Sequence, residues 1–483
     1  MFTSFRRFIC LVIILFGVGA RFGFSQVATN APGPAPTVSA EGQTITLSLP
    51  DAIGLALLQN RDLLGARLSV RSATLALQNQ KDRFRWRVEP AGRIGATETG
   101  EDLTYGLDVV QELQAGGSIR AGGRYGRINN EESGSYDQGE AVVQWSQPLF
   151  RSFGKEVQLE PIRSAESSAR RARRSLGLRT EDMVITLVQQ IEELLQTRRR
   201  ITIESTALLR LEKLATLASS NEKLGKGTRI DTLRVEQELG QARLRLQNAK
   251  DLELSARQDV LDLLGLSMQS GVDFEAPPLV KMTMPTRDAA IQMAWSNRLD
   301  VAQAFDLIED AKRAAKLSKR QLLPDLQLTA RYRQFNDPED EAWDFGEDDW
   351  FAGLSINSDL NRRAGKNAVQ QGMLDQQLAE LGIDDLRYQV AKQVTNAMRA
   401  YRSANGNFDI SKQNVDLAFK RLELAESLYK LGKVDNFTWI DAQDDYLAAQ
   451  TAHLENRASA SLAGYRFLRA IGKLVDHPDS LME

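Results

Sequence analysis

Two spacings of apolar residues divide this chain. Over long stretches the apolar positions recur at helical intervals. Val184, Leu187, Ile191, Leu194, Ile201, Leu208 and Ala215 keep a loose heptad, and Ile440, Leu447, Leu454 and Leu468 fall at multiples of seven. These are partial coiled-coil seams, with many Ala and Ser at other inward positions. They lie in two windows without proline, residues 162–276 and 339–477, which run for 115 and 139 residues. Proline costs about 3 kcal/mol inside a helix, so both windows read as helix. Each is interrupted once, at Gly225-Lys226-Gly227-Thr228 and at Gly432-Lys433. Glycine supplies the positive φ that ends a helix, and Asp231 or Asp435 can favour the start of the next. Each window is therefore an antiparallel helical hairpin. A first arm from about 156 to 222 would be ~100 Å long at 1.5 Å per residue. Such an arm must lie against equal neighbours along its length.

Short segments alternate with period two instead. Leu326, Leu328, Ala330 and Tyr332 alternate with Gln327, Thr329, Arg331 and Arg333, and Trp350, Ala352, Leu354 and Ile356 with Phe351, Gly353, Ser355 and Asn357. Leu107, Val109 and Leu113 do the same in the first half, as do Val143 and Trp145. One apolar and one polar face suit a membrane barrel with a wet lumen, with a half-buried soluble sheet as the alternative. Trp86, Trp145, Trp343 and Trp350 fall in or beside these segments, with Tyr105, Tyr125 and Tyr332, as an interfacial girdle would require.

The order of elements occurs twice. Lys-Leu-Gly-Lys at 223–226 recurs at 430–433, and the same offset pairs Leu233 with Ile440, Glu236 with Gln443, Ala242 with Ala449 and Gly265 with Gly472. A looser match sets 149–155 against 360–366, and Asp62 in an amphipathic helix from Ala52 to Asn79 against Asp300 in one from Ala289 to Lys319. A repeat this long is an internal duplication, since solenoid units run ~20–50 residues. The expected plan is a signal peptide at 1–25 and a Pro/Ala-rich linker at 26–44. A first repeat follows at 45–275, with strands about 86–149 and a hairpin about 156–265. A second follows at 276–474, with strands about 324–358 and a hairpin about 366–472, and then a tail at 475–483.

Composition changes little in this picture. The chain is 42% hydrophobic and 26% charged, which speaks against a polytopic helical membrane protein. Net charge is −3, with no electrostatic footprint for nucleic acid. The N-terminus changes more. Arg6 and Arg7 precede an apolar run from Phe8 to Ala20, too short to span a bilayer comfortably, and Gly23 and Ser25 suit cleavage after Ser25. The single cysteine, Cys10, would leave with that segment.

Candidate chemistry is sparse. His453 and His477 are the only histidines, so no Ser-His-Asp set is plausible, and the motifs hold no metal cluster or phosphate-binding loop. An enzyme is not expected, nor a cofactor. Gly116-Gly117 and Gly122-Gly123 stand within strand alternation and read as turn or packing positions.

The second copy, Tyr429 to Gly472, resembles TolC-like outer membrane efflux proteins, through Tyr429, Gly432, Ile440, Asp441, Ala442, Gln443, Tyr465 and Gly472. The first copy is similar through Gly225, Asp231, Leu233, Glu236 and Gly265, and Pro148-Leu149-Phe150 resembles the family's strand-to-helix junction. The resemblance implies a mainly α fold with a membrane β-barrel portion: two repeats of helix, strands and long helical hairpin, assembled as a trimeric α/β barrel duct. It implies an outer membrane channel reaching into the periplasm and working passively in a tripartite efflux system. The implied partners are two further copies, a periplasmic adaptor, an inner-membrane transporter and outer membrane lipid. Four strands per chain, the family pattern, give twelve in a trimer, and closure abolishes sheet edges in lipid. By family position Asp441 is the first candidate for the pore constriction, followed by Asp435 and Asp231, though the last two serve equally as helix caps. Leu224, Gly225, Lys226, Leu431, Gly432 and Lys433 are candidate adaptor-contact tips, or plain turns. Two departures stand out. The place of a second family carboxylate is taken by Thr438, and Leu103 to Ile128 is an extra strand-like hairpin, either barrel or extended outer loop. Two rivals remain: the duct of a type I protein secretion system, and a periplasmic coiled-coil scaffold or adhesin stalk.

Overall fold

The computed structural model describes residues 45–476, apart from 98–99, 131–133, 226, 337–344 and 359–360. The signal and linker segments, Lys226, Trp343 and the tail from residue 477 lie outside the described residues.

The first repeat opens with a short strand β1 (Ile45–Leu47) and two helices, α1 (Leu49–Gln59) and α2 (Arg61–Asp82). Strands β2 (Arg87–Thr97), β3 (Gly100–Glu112), β4 (Ser118–Asn130) and β5 (Gly134–Pro148) follow. A single turn α3 (Lys155–Gln158) leads into α4 (Glu160–Lys223), which a glycine turn joins to α5 (Arg229–Leu264). The second repeat has β6 (Val272–Phe274), α6 (Arg287–Asn297), α7 (Leu299–Arg320), β7 (Asp325–Phe335), β8 (Glu347–Asn357), α8 (Arg363–Lys430) and α9 (Asn436–Ala470).

The duplication is exact where local chemistry sets it. Each repeat's leading helix is broken, where the sequence reads one continuous amphipathic helix. The pieces are 11 and 22 residues long in both repeats. In the first, Asn60 ends α1 in extended backbone and caps α2, its Oδ1 accepting from the Leu63 N–H at 3.1 Å. Its Nδ2 donates to the Leu263 carbonyl at 2.9 Å, which ties the break to the end of α5. In the second, Arg298 occupies the break and donates to Asp300 at 2.6 Å. The repeated glycines explain the rest. Gly265 and Gly472 both have φ of +69° and both press on a break, Gly265 against Gln59 and Gly472 against Asn297. A Cβ would lie 2.8 Å from the Gln59 carbonyl or 2.9 Å from Asn297, so neither the conformation nor the space admits a side chain.

One antiparallel sheet runs β2-β3-β4-β5-β7-β8. It has six strands, and this corrects the expectation of four per chain. The hairpin β3–β4 is neither an outer loop nor an accessory. β3 pairs along its length with β2 and β4, and β4 with β5. Cross-strand register carries one face through the whole sheet: Val88 lies opposite Val109, Val109 opposite Ala121, Ala121 opposite Val143, Val143 opposite Tyr332 and Tyr332 opposite Trp350. The next row on the other face runs Glu89, Asp108, Gly122, Val142, Arg333 and Asp349. On the apolar face Ile94, Trp350, Ile356 and Leu354 are among the most exposed large hydrophobics of the chain. A soluble protein rarely leaves such a surface open, whereas lipid accepts it.

Helix packing is asymmetric. α4 touches α2, α5, α7 and α9, whereas α8 touches α6, α7 and α9 and, among the described residues, has no long neighbour on its other flank. The main core gathers α1, β6, the middle of α4 and the end of α5, with Leu187, Val188 and Leu194 fully buried. Ion pairs also join the repeats, one of them beside this core. Arg174, 1% exposed, donates to Asp306 on α7 at 2.6 Å, and Arg457 on α9 meets buried Glu192 on α4 at 2.9 Å. Burial pushes the Glu192 carboxyl up, against the pull of Arg457.

Candidate functional site

The two hairpin tips lie side by side. α4 ends at Lys223 and turns through Gly225, whose φ is +71°, and α8 ends at Lys430 and turns through Gly432 at +70°. Thr228 and Asp231 form a reciprocal capping box. The Thr228 hydroxyl accepts from the Asp231 N–H, and the Asp231 carboxylate accepts from the Thr228 N–H. Asp435 caps α9, accepting from the Thr438 N–H at 2.9 Å and its hydroxyl at 2.8 Å. Those bonds, the backbone one first, hold the Asp435 carboxyl below its usual range. Both carboxylates are thus engaged as helix caps. A hydrogen bond crosses between the tips, from buried Asn436 Nδ2 to the Asp231 carbonyl at 2.8 Å. Behind it a small core of Leu214, Ala218, Val235, Leu422, Ala425, Trp439 and Ile440 locks the hairpins together, and Trp439 stacks on Tyr429 with ring centres 6.3 Å apart.

The outermost residues are apolar and bare. Leu224, Ile230, Leu431 and Phe437 are 68%, 69%, 68% and 55% exposed, and Gly225, Gly432 and Lys433 are exposed with them. Of the tip residues named from sequence, only Lys226 lies outside the described residues. Ile230 and Phe437 extend the patch, and both were visible as apolar residues just past a tip.

Asp441 stands on the first turns of α9, half exposed. Its carboxylate accepts from Arg421 Nη2 on α8 at 2.5 Å, and the same guanidinium pairs with Asp445. The clamp holds the last arm of the second hairpin to its first arm. Sequence reading named Asp441 and missed Arg421 and Asp445. A usable signal existed: Arg421 stands eleven residues before Gly432 and Asp441 nine after, so folding the hairpin at its tip brings them level. The first hairpin has no such clamp at the equivalent place. Leu233, the repeat partner of Ile440, is 48% exposed, whereas Ile440 is buried.

Chemistry elsewhere is structural. His453 stacks on Phe408 and meets the Ser411 hydroxyl at 3.0 Å, and burial pushes its imidazole below its usual value. His477 lies outside the described residues. Among the described residues no group of three or more His, Cys, Asp or Glu is placed to hold a metal, and no helix is long and apolar enough to cross a membrane.

Residues 290–473, the second repeat from α6 to the end of α9, match the family model described as outer membrane efflux protein. No curated protein matches the chain in sequence. Solved structures share its fold over most of its length. The outer-membrane channel OprN is 16% identical, with a TM-score of 0.70 over 88% of this chain and 89% of its own. The outer membrane protein VceC of Vibrio cholerae is 14% identical, with a TM-score of 0.68 over 88% and 96%. The outer membrane channel CmeC of Campylobacter jejuni is 13% identical, with a TM-score of 0.70 over 88% and 86%. Residues 290–473 thus carry the sequence match to the outer membrane efflux protein family, and nearly the whole described length shares the fold of solved outer membrane channels.

Proposed function

We propose that three copies of this chain form the outer membrane duct of a tripartite export system, conducting passively from a periplasmic tip to the exterior. The observation that carries this is a chain unfinished on two matching flanks. In the sheet, β2 and β8 are both edges, and a two-faced sheet in lipid must close. In the helical part, α8 leaves Leu374, Leu381 and Tyr388, and then Ile410, Leu417 and Leu424, exposed at seven-residue spacing. Beside that stripe, α7 and α8 enclose an apolar groove of about 540 Å³ lined by Ala304, Leu307, Leu378 and Ala379. At the opposite flank α2 exposes Leu64, Leu68 and Leu75. A flank-to-flank contact between unlike surfaces repeats around an axis, and gives a ring where the rotation closes rather than an open filament. Three copies so joined carry twelve long hairpin arms, α4, α5, α8 and α9 of each, and set the α8 flank of one copy against the α2 flank of the next. A detergent-free coiled-coil stalk would need no two-faced sheet.

The bare tips, apolar Leu224 and Leu431 with Gly225, Gly432 and the cationic Lys433, are the docking surface for a periplasmic adaptor that couples the duct to an inner-membrane transporter. Asp441 helps to line the narrow end. The clamp from Arg421 to Asp441 and Asp445 holds that end shut, and its release opens it. With Thr438 in place of a further carboxylate, the ring carries little excess negative charge, so block by trivalent cations is weak.

Crosslinking in detergent should give a species of three chains, and a monodisperse detergent-free monomer would overturn the assembly. In planar bilayers, Arg421→Ala should raise conductance, because it frees both carboxylates, and should strengthen trivalent block. Asp441→Asn should weaken that block. If both variants conduct and block like the unaltered trimer, the gate lies elsewhere.

A further inference from the structure

The two repeats differ in one large feature, and it sits in the wall of the barrel. The helices leading into the sheet match in length, and β2 and β7 are both 11 residues long. The second repeat then returns at once through β8. The first inserts a full hairpin, β3–β4, before returning through β5. We infer that this insertion enlarges the closed barrel to eighteen strands, giving a mouth wider by about half than two strands per repeat would give, and leaving size selection of bulky polar cargo to the periplasmic tip. This rests on the threefold assembly proposed above.

Three observations show the hairpin built into the wall. First, its register is continuous. β3 and β4 carry the apolar row from Val88 through Val109 and Ala121 to Val143 without a slip of face. Leu103, Tyr105, Leu107 and Val109 lie on that side of β3, and Ile119, Ala121 and Tyr125 on that side of β4, with Tyr105 and Tyr125 packed 5.1 Å apart. A hairpin lying over the outside or inside of a barrel would not present a lipid-compatible face in register with both neighbours. Second, its turn is fastened to the strand-to-helix junction of the same chain. The Gly154 N–H donates to the Ala115 carbonyl at 2.8 Å. Gly116, with φ of +104°, passes so close to that junction that a Cβ would lie 2.5 Å from the Ser152 carbonyl. Third, its inner face is low. Gly106, Gly122 and Gly126 alternate there with Asp108, Arg124 and Thr104, and Arg124 pairs with Asp108 along the wall at 3.2 Å. Side chains that lie along the wall leave the bore open.

Six strands from each of three chains make eighteen. At a strand spacing of ~4.8 Å and a tilt of ~40°, twelve strands give a backbone diameter of about 24 Å and eighteen about 36 Å. Barrels of 16–18 strands hold an aqueous channel rather than a packed core.

The test is to image the detergent-purified trimer by electron cryo-microscopy and to size its mouth with polyethylene glycols added on the extracellular side in planar bilayers. The comparison variant lacks residues 100–130. The register leaves Val88 facing Val143 in that variant, with both faces preserved. Eighteen strands in the image, and a polymer cut-off about 1.5-fold larger in diameter for the full chain than for the deletion, are expected. A threefold particle with a twelve-strand wall and β3–β4 outside it, or equal cut-offs, would overturn the inference and leave the channel reading intact. A particle without threefold symmetry would overturn the channel reading itself. Should the deletion fail to assemble, the strand count of the full chain decides.

Discussion

α4 and α8 are built from the same plan and meet opposite fates. They run 64 and 68 residues, each the first arm of its repeat's hairpin. Eighteen residues of α4 are buried and seven of α8. Their apolar content does not cause the difference. α8 carries leucines at heptad spacing, as α4 does, but they stand exposed because no described element reaches them. A helix stripe of that kind is normally covered. On the proposed assembly, burial measured on one chain separates two kinds of hydrophobic residue: those that fold the chain and those that join it to its copies.

That distinction predicts different failures. Leu187→Ala, at a fully buried site of α4, should destabilise the folded chain by about 2–5 kcal/mol, through lost transfer energy and the cavity left behind. Leu378→Ala on α8, 64% exposed, should leave secondary structure intact and weaken the trimer instead. Thermal unfolding by circular dichroism, set beside native gels over a range of protein concentration, separates the two. If Leu378→Ala lowers thermal stability as much as Leu187→Ala and leaves assembly unchanged, the exposed flank of α8 around its groove with α7 is not an interface.

The sheet extends the comparison under the proposed reading, in which lipid covers its apolar face. Leu328 and Thr329 are neighbours on β7 and point to opposite faces. Leu328→Arg should cost about 2–4 kcal/mol near the bilayer midplane, and Thr329→Arg in the wet lumen should be tolerated. Refolding yields into lipid vesicles would show it, and equal yields would mean that the faces are reversed or that the sheet is not in lipid.

The smallest effect belongs to the tips. Asp435→Ala removes a helix cap and should cost about 0.5–2 kcal/mol at neutral pH. Because the folded carboxyl is held below its ordinary value, this contribution is present above the unfolded carboxylate's range and is lost as pH falls through the folded one. The gap between the parent and Asp435→Ala should therefore shrink in acid, and Asp435→Asn should keep the cap throughout. A gap that widens in acid would contradict the capping geometry.

Much of the fold was legible because its causes are local. Period seven without proline makes long helices whatever surrounds them, and period two makes two-faced strands. The duplication and the resemblance to efflux proteins could be read from residues such as Gly225, Gly432, Gly265 and Gly472, whose positive φ is a property of the chain at that point. Three features depended on what meets what. The breaks at Asn60 and Arg298 interrupt helical sequence because the glycine-ended helices α5 and α9 press on them. Arg421 became part of the candidate gate only when the hairpin brought it level with Asp441 and Asp445. The segment from Leu103 to Ile128 was plainly strand-like, but alternation is the same in a barrel wall and in an outer loop. Only its pairing with β2 and β5 put it in the sheet, since hydrogen bonds between strands are set by neighbours that the local sequence does not name.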